Sequence, residues 1–136
     1  MAPHGAGGAP RVLVVDDSAT VRDLISMNLS LEGFEVVTAT NGREALQKVH
    51  DVEPAVVTLD VTMPDMDGFL TAEQLRADPR TESLPIAIVS ACAQEADFRR
   101  GREIGVDAYV TKPFDPDELV RIVSDLAENG RADHPR

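Results

Sequence analysis

Five short apolar runs punctuate the chain, at residues 11–15, 34–39, 55–59, 85–89 and 108–111. In most of them apolar residues follow one another instead of alternating with polar ones, the pattern of strands in a parallel sheet covered on both faces. Between the runs, apolar positions recur at helical spacing. Val21, Leu24, Ile25 and Leu29 follow a capping Ser18 and stop at Gly33, and Ala45, Leu46 and Val49 follow the capping pair Asn41 and Glu44 and stop before Pro54. Residues 69–77 predict a third helix ended by Asp78-Pro79, and residues 95–104 a polar, partly basic fourth helix closed by Gly105. The last helix has the clearest start: Asp115 as cap, Pro116 in the first turn and Glu118 completing a box, ahead of Leu119, Ile122, Val123 and Leu126.

Strands alternating with helices predict an α/β fold, a doubly wound five-stranded parallel sheet with five helices on its two faces. For a chain of this size the natural strand order is the flavodoxin-like 2-1-3-4-5, with a ligand crevice beyond the carboxyl ends of the first and third strands. Those strands stop on Asp16-Asp17 and on Asp60, while the fourth stops on Ser90 and the fifth on Lys112. Residues far apart in sequence therefore converge at one edge.

Composition narrows what such an edge can do. At 136 residues, 43% hydrophobic and 27% charged, the chain is a single globular unit, and no apolar run approaches membrane-spanning length. A formal net charge of −11 opposes direct binding of nucleic acid or anionic lipid by this domain. Cys92 is the only cysteine, which excludes an internal disulfide and a cysteine metal site and suits a reducing cytoplasm. Residues 1–10 are small and Gly/Pro-rich without the features of a secretory signal, and read as a flexible tail. His4, His50 and His134 are scattered and read as solvated bystanders.

Three carboxylates brought together repel one another and call for a cation; hard oxygen ligands suit Mg2+, with Mn2+ as a substitute, better than zinc. A lysine and a hydroxyl opposite that cation make a pocket for a phosphoryl group. Asp65 and Asp67 read instead as turn builders before Gly68.

Four stretches together, Val-Val-Asp16-Asp17-Ser18, Leu59-Asp60-Val61-Thr62-Met63-Pro64-Asp65-Met66-Asp67-Gly68, Val89-Ser90-Ala91 and Thr111-Lys112-Pro113-Phe114, resemble the receiver domain of two-component response regulators, single-domain or part of a longer regulator. The likeness runs over residues 11–128, leaving 129–136 as a C-terminal tail or linker. It implies that Asp60 is the phosphoacceptor, taking a phosphoryl group from a histidine kinase or a histidine phosphotransfer protein. By the same likeness, Asp16, Asp17, Asp60 and the backbone carbonyl of Thr62 hold the metal, and Ser90 and Lys112 bind the phosphoryl group. Ser90 and Tyr109 form the switch that remodels the face of the fourth and fifth helices and the fifth strand, while Thr62 and Cys92 tune water access during dephosphorylation. Lys112-Pro113 is similar to a cis peptide of the family, and Met27 and Leu31 lie where kinases and phosphotransfer domains dock in it, though ordinary packing explains them equally well.

The resemblance thus implies a cytoplasmic signalling module, not a metabolic enzyme, with only self-phosphotransfer and autodephosphorylation. Its output is a downstream protein target or effector domain, and it is a monomer, or a dimer on the fourth-helix face when phosphorylated. Residues 130–136 are either a natural end or the start of a linker into an effector domain. One rival reading is an Asp-nucleophile phosphatase of the haloacid-dehalogenase type, which needs a second Asp where this chain has Thr62; another is an interaction module that has lost phosphotransfer. For Tyr109, an edge-strand aromatic covering the core is the competing role, and for Arg99-Arg100-Gly101-Arg102 a solvated helix face competes with a site for an acidic partner.

Overall fold

A computed structural model describes residues 8–131. The order of elements is β1 (Arg11–Val15), α1 (Ala19–Leu31), β2 (Glu35–Ala39), α2 (Gly42–Val52), β3 (Val56–Leu59), α3 (Gly68–Ala77), β4 (Ile86–Ser90), α4 (Glu95–Ile104), β5 (Ala108–Thr111) and α5 (Pro116–Asn129). All strand pairs are parallel, as the alternation of elements predicts, and the sheet order is β2-β1-β3-β4-β5, the order expected for a doubly wound fold of this size. Boundaries differ from the sequence expectation by one residue in places; β4, for example, runs from Ile86 to Ser90 rather than over 85–89.

Continuous apolar strands are explained by two cores, one on each face. Val12 and Val14 of β1, Val56 of β3, Ala87 and Val89 of β4 and Val110 of β5 point to one side, against Ile25 and Leu29 of α1 and Leu119, Val123 and Leu126 of α5. Leu13, Val15, Val57, Leu59, Ile86 and Ile88 point to the other, against Ala45 and Val49 of α2 and Phe69, Ala72 and Leu75 of α3. Successive side chains of a strand face opposite ways, so both sets must be apolar. Each large aliphatic side chain fully buried here contributes roughly 1.5–3 kcal/mol.

The expected caps form, but the box expected from Glu118 does not; a box-type contact occurs instead at α4, where Asp97 accepts from the Gln94 N–H at 3.0 Å. Ser18, Asn41, Asp67 and Asp115 accept backbone N–H bonds at the starts of α1, α2, α3 and α5. The Asp115 bond comes from the N–H of Asp117 at 2.9 Å. Asp67, read from the sequence as a turn builder, is thus also a helix cap. Among the described residues no helix is long and apolar enough to cross a membrane.

Candidate functional site at the carboxyl edge of the sheet

Strand register assembles the site. Val15 pairs with Leu59, and the ladder continues one residue further with the Asp60 N–H donating to the Val15 carbonyl at 3.0 Å. Asp16 and Asp60 therefore leave neighbouring strands side by side. On the other flank Ser90 pairs with Thr111, and the Lys112 N–H donates to the Ser90 carbonyl at 2.9 Å, so Lys112 leaves one step beyond Ser90.

Asp16 and Asp60 are buried, Asp17 is exposed, and one oxygen of each lies within 4.8 Å of the other two. Lys112 Nζ reaches into this group, 2.9 Å from Asp16 Oδ2 and 3.6 Å from Asp60 Oδ2. Its shorter contact is with Asp16. The Asp16 carboxylate also accepts from the Ser18 N–H at 2.9 Å, and the Asp16 carbonyl accepts from Arg22 Nη1 at 2.8 Å. Arg22 carried no signal in the sequence beyond its place on the first helix.

Burial pushes the Asp60 carboxyl up from the ordinary carboxylate range, and the neighbouring Asp16 charge adds to the rise; Lys112 and the Thr62 N–H oppose it, and Asp17 raises it further. The local balance disfavours negative charge on Asp60. An all-oxygen donor set of two buried carboxylates and one exposed to water fits Mg2+ or Mn2+, which keep part of their hydration shell.

Gly68 has a structural reason to be glycine: a Cβ there would overlap the Asp60 carbonyl oxygen, and its N–H donates to Val61 at 2.9 Å. The turn carrying Thr62 is thereby pressed against the backbone of Asp60. Thr62 itself is exposed, and its Oγ1 lies 3.5 Å from the Cys92 thiol.

Ser90 is fully buried, and its Oγ accepts from the Cys92 N–H at 3.1 Å. Tyr109 reaches the same loop, donating its hydroxyl to the Cys92 carbonyl at 2.5 Å. Its ring meets Phe98 edge-on at 4.8 Å and is tilted against Phe69 at 6.4 Å, and it packs on the core. Burial, with help from Asp97, pushes the Tyr109 phenol up to about 12, so it remains a proton donor throughout the physiological range. The Lys112-Pro113 peptide is cis. Of the α4 arginines, Arg100 lies 4.9 Å over the Phe69 ring and 3.5 Å from Glu73, and Arg102 lies 3.4 Å from Glu95. His50 stands 3.3 Å from Asp78, away from the site, and His4 and His134 lie outside the described residues.

A doubly wound sheet of this order, with an Asp pair, an Asp, a Ser and a Lys at the ends of strands one, three, four and five, defines a signalling receiver. A profile of the response regulator receiver domain matches residues 12–124, and the chain belongs to that family. It is 42% identical over 123 residues to the probable transcriptional regulator ycf27 of Guillardia theta, covering 90% of this chain and 47% of that one. The DNA-binding dual master transcriptional regulator RpaA of Synechocystis is 36% identical over 117 residues, covering 86% of this chain and 48% of that one. The solved chemotaxis response regulator CheY4 of Vibrio cholerae superposes with a TM-score of 0.81 at 32% identity, covering 87% of this chain and 98% of that one. The chain spans about half the length of the curated relatives it matches.

Proposed function

We propose that this receiver takes a phosphoryl group on Asp60 from a phosphohistidine of a sensor kinase or histidine phosphotransfer protein. The observation that carries the reading is the convergence of Asp16, Asp17, Asp60 and Lys112 at adjacent strand ends. An Asp60 carboxylate oxygen attacks phosphorus, the P–N bond of the donor breaks, and the imidazole nitrogen keeps the electron pair and is protonated. Lys112 Nζ stands beside the nucleophile, where it neutralises the transferred oxygens, and the Ser90 hydroxyl donates to them from the next strand. Asp16, Asp17, Asp60 and the Thr62 carbonyl hold the Mg2+, which when bound offsets the repulsion among the carboxylates and the incoming anion.

Once Asp60 is phosphorylated, a move of the Ser90 hydroxyl toward it disturbs the Cys92 loop to which Tyr109 is bonded. Phenol and α4 then shift together, changing the surface of α4, β5 and α5 offered to a downstream target or effector domain. Thr62 and Cys92, in contact beside the site, govern the approach of the water that hydrolyses the acyl phosphate. Autodephosphorylation and phosphoryl uptake are then the only chemistry. The working unit runs from Arg11 through α5 to Arg131, past the expected boundary at residue 128, because Arg131 bonds Asp107 and the Gly105 carbonyl; it acts in a cytoplasmic pathway. Leu24, Met27 and Leu31, exposed on α1, offer the phosphodonor an apolar docking face.

A haloacid-dehalogenase-type phosphatase is not favoured: Thr62 stands where its acid/base Asp is needed. The test is incubation with acetyl phosphate and Mg2+. The protein gains one phosphoryl mass and Asp60→Asn gains none; a wild-type protein that gains none, or a variant that gains as much, overturns the assignment.

A further inference from the structure

Gly42, the first residue of α2, lies outside every sequence stretch that carries the receiver chemistry, yet it abuts the loop behind Asp60. A Cβ at Gly42 would overlap Thr71 Oγ1, and it would stand 2.9 Å from the Met66 carbonyl oxygen and 3.2 Å from Met66 Cγ. Neither neighbour yields cheaply. Thr71 is completely buried, and its Oγ1 and N–H both donate to the Asp67 carbonyl, at 2.8 and 3.0 Å. The Met66 carbonyl is main chain, held in the turn by the Met66 N–H bond to Pro64 at 2.8 Å.

The end of the same loop is equally tight. Next after Met66 and Asp67 comes Gly68, seated against the Asp60 carbonyl with no room for a Cβ. Two glycines therefore confine residues 61–67, Gly42 through its contacts with Met66 and Thr71, Gly68 through its contact with Asp60 itself. A Cβ at Gly42 pushes on the Met66 main chain, four residues along the same short loop from Thr62, and the buried Val61 and Met63 at the start of that loop pass part of such a displacement on toward Asp60.

From this geometry we infer that Gly42 is a positioning residue for the Asp60 site: its missing side chain sets where the 61–67 loop places Thr62 and Asp60. The inference rests on the reading of Asp60 and the Thr62 carbonyl as metal ligands. Mg2+ tolerates little departure from octahedral geometry, and small misplacements of reacting groups cost large factors in rate.

The experiment measures Mg2+ affinity, through the fluorescence of the single tyrosine or by calorimetry, together with phosphorylation by acetyl phosphate. Gly42→Ala is expected to weaken Mg2+ binding about tenfold and to slow phosphorylation at subsaturating Mg2+ by a similar factor. Thr71→Ala alone stays within about twofold of wild type, and Gly42→Ala/Thr71→Ala, relieved of one of the two clashes, falls between. Glu44→Gln separates positioning from mere helix weakening: it loosens the start of α2 without filling the gap, and lowers the melting temperature while leaving Mg2+ affinity unchanged.

If Gly42→Ala melts early but binds Mg2+ like wild type, the inference is overturned. Should Gly42→Ala not fold, the double variant decides: affinity equal to that of Thr71→Ala overturns the inference, and weaker affinity supports it. A wild-type protein that neither binds Mg2+ nor takes up phosphoryl would instead overturn the reading of the site.

Discussion

Asp60 and Asp107 are both buried carboxylates at ends of the same sheet, yet their surroundings differ in kind. Asp107, just before β5, is 1% exposed, and its oxygens accept from Arg76 Nη2 at 2.9 Å, Arg131 Nε at 3.1 Å and the Ile86 N–H at 2.8 Å. Those arginines also donate to the Gly105 carbonyl, and Arg76 reaches the carbonyls of Glu82 and Leu84 as well. The result is a closed knot tying α3, β4, the α4–β5 turn and the end of α5. Burial and the nearby Arg131 charge push the Arg76 guanidinium down, with Asp107 opposing them. Asp60, 6% exposed at the opposite edge, has two acidic neighbours and shares one lysine with Asp16. Burial of a carboxylate therefore does not distinguish structure from function, whereas the balance of charge around it does.

Four substitutions sharpen this contrast, beginning with the largest effect. Asp107→Ala leaves two guanidiniums without their carboxylate and the Ile86 N–H without its acceptor, and is expected to cost about 3–5 kcal/mol in urea unfolding. Mg2+ affinity, measured on the folded fraction, stays at the wild-type level. At the other edge the sign reverses: Asp60→Asn relieves a desolvated, repelled charge and raises the urea midpoint in EDTA at pH 7, by less than Asp107→Ala lowers it. Adding Mg2+ erases that advantage. A destabilised Asp60→Asn would end the contrast.

Tyr109→Phe removes the bond to the Cys92 carbonyl and costs about 1 kcal/mol by chemical denaturation. Its ring contacts with Phe98 and Phe69 persist, so near-native folding is retained. The smallest effect belongs to Glu44, an acid near the same edge as Asp60 but held by Lys48, first, and by the N–H and hydroxyl of Thr40, which lower it to about 2. Because the folded-state value is depressed, its contribution is present above the unfolded carboxylate range and lost as pH falls through about 2. Partly exposed, the pair is screened, so Glu44→Gln costs about 0.5 kcal/mol at pH 7 and nothing measurable near pH 2.

Much of this was legible along the chain because it is locally encoded. Continuous apolar runs required a sheet covered on both faces, cap residues marked the helix starts, and Asp16, Asp17, Asp60, Ser90 and Lys112 each stood at the end of such a run. The strand order 2-1-3-4-5 was the natural choice for a doubly wound fold of this size, and the sheet has it. What the sequence could not specify are contacts between residues remote from each other. Lys112 chooses Asp16 as its nearer partner across 96 positions, and Arg76 meets Asp107 across 31. Neither the arginine on the third helix nor Asp107 before the fifth strand carries a pattern of its own, since an ion pair is recognisable only once packing has removed both partners from water. The clearance at Gly42 is of the same kind. A glycine at a helix start reads as ordinary, and only the close approach of α2 to α3 makes its absent side chain a requirement of the loop behind Asp60.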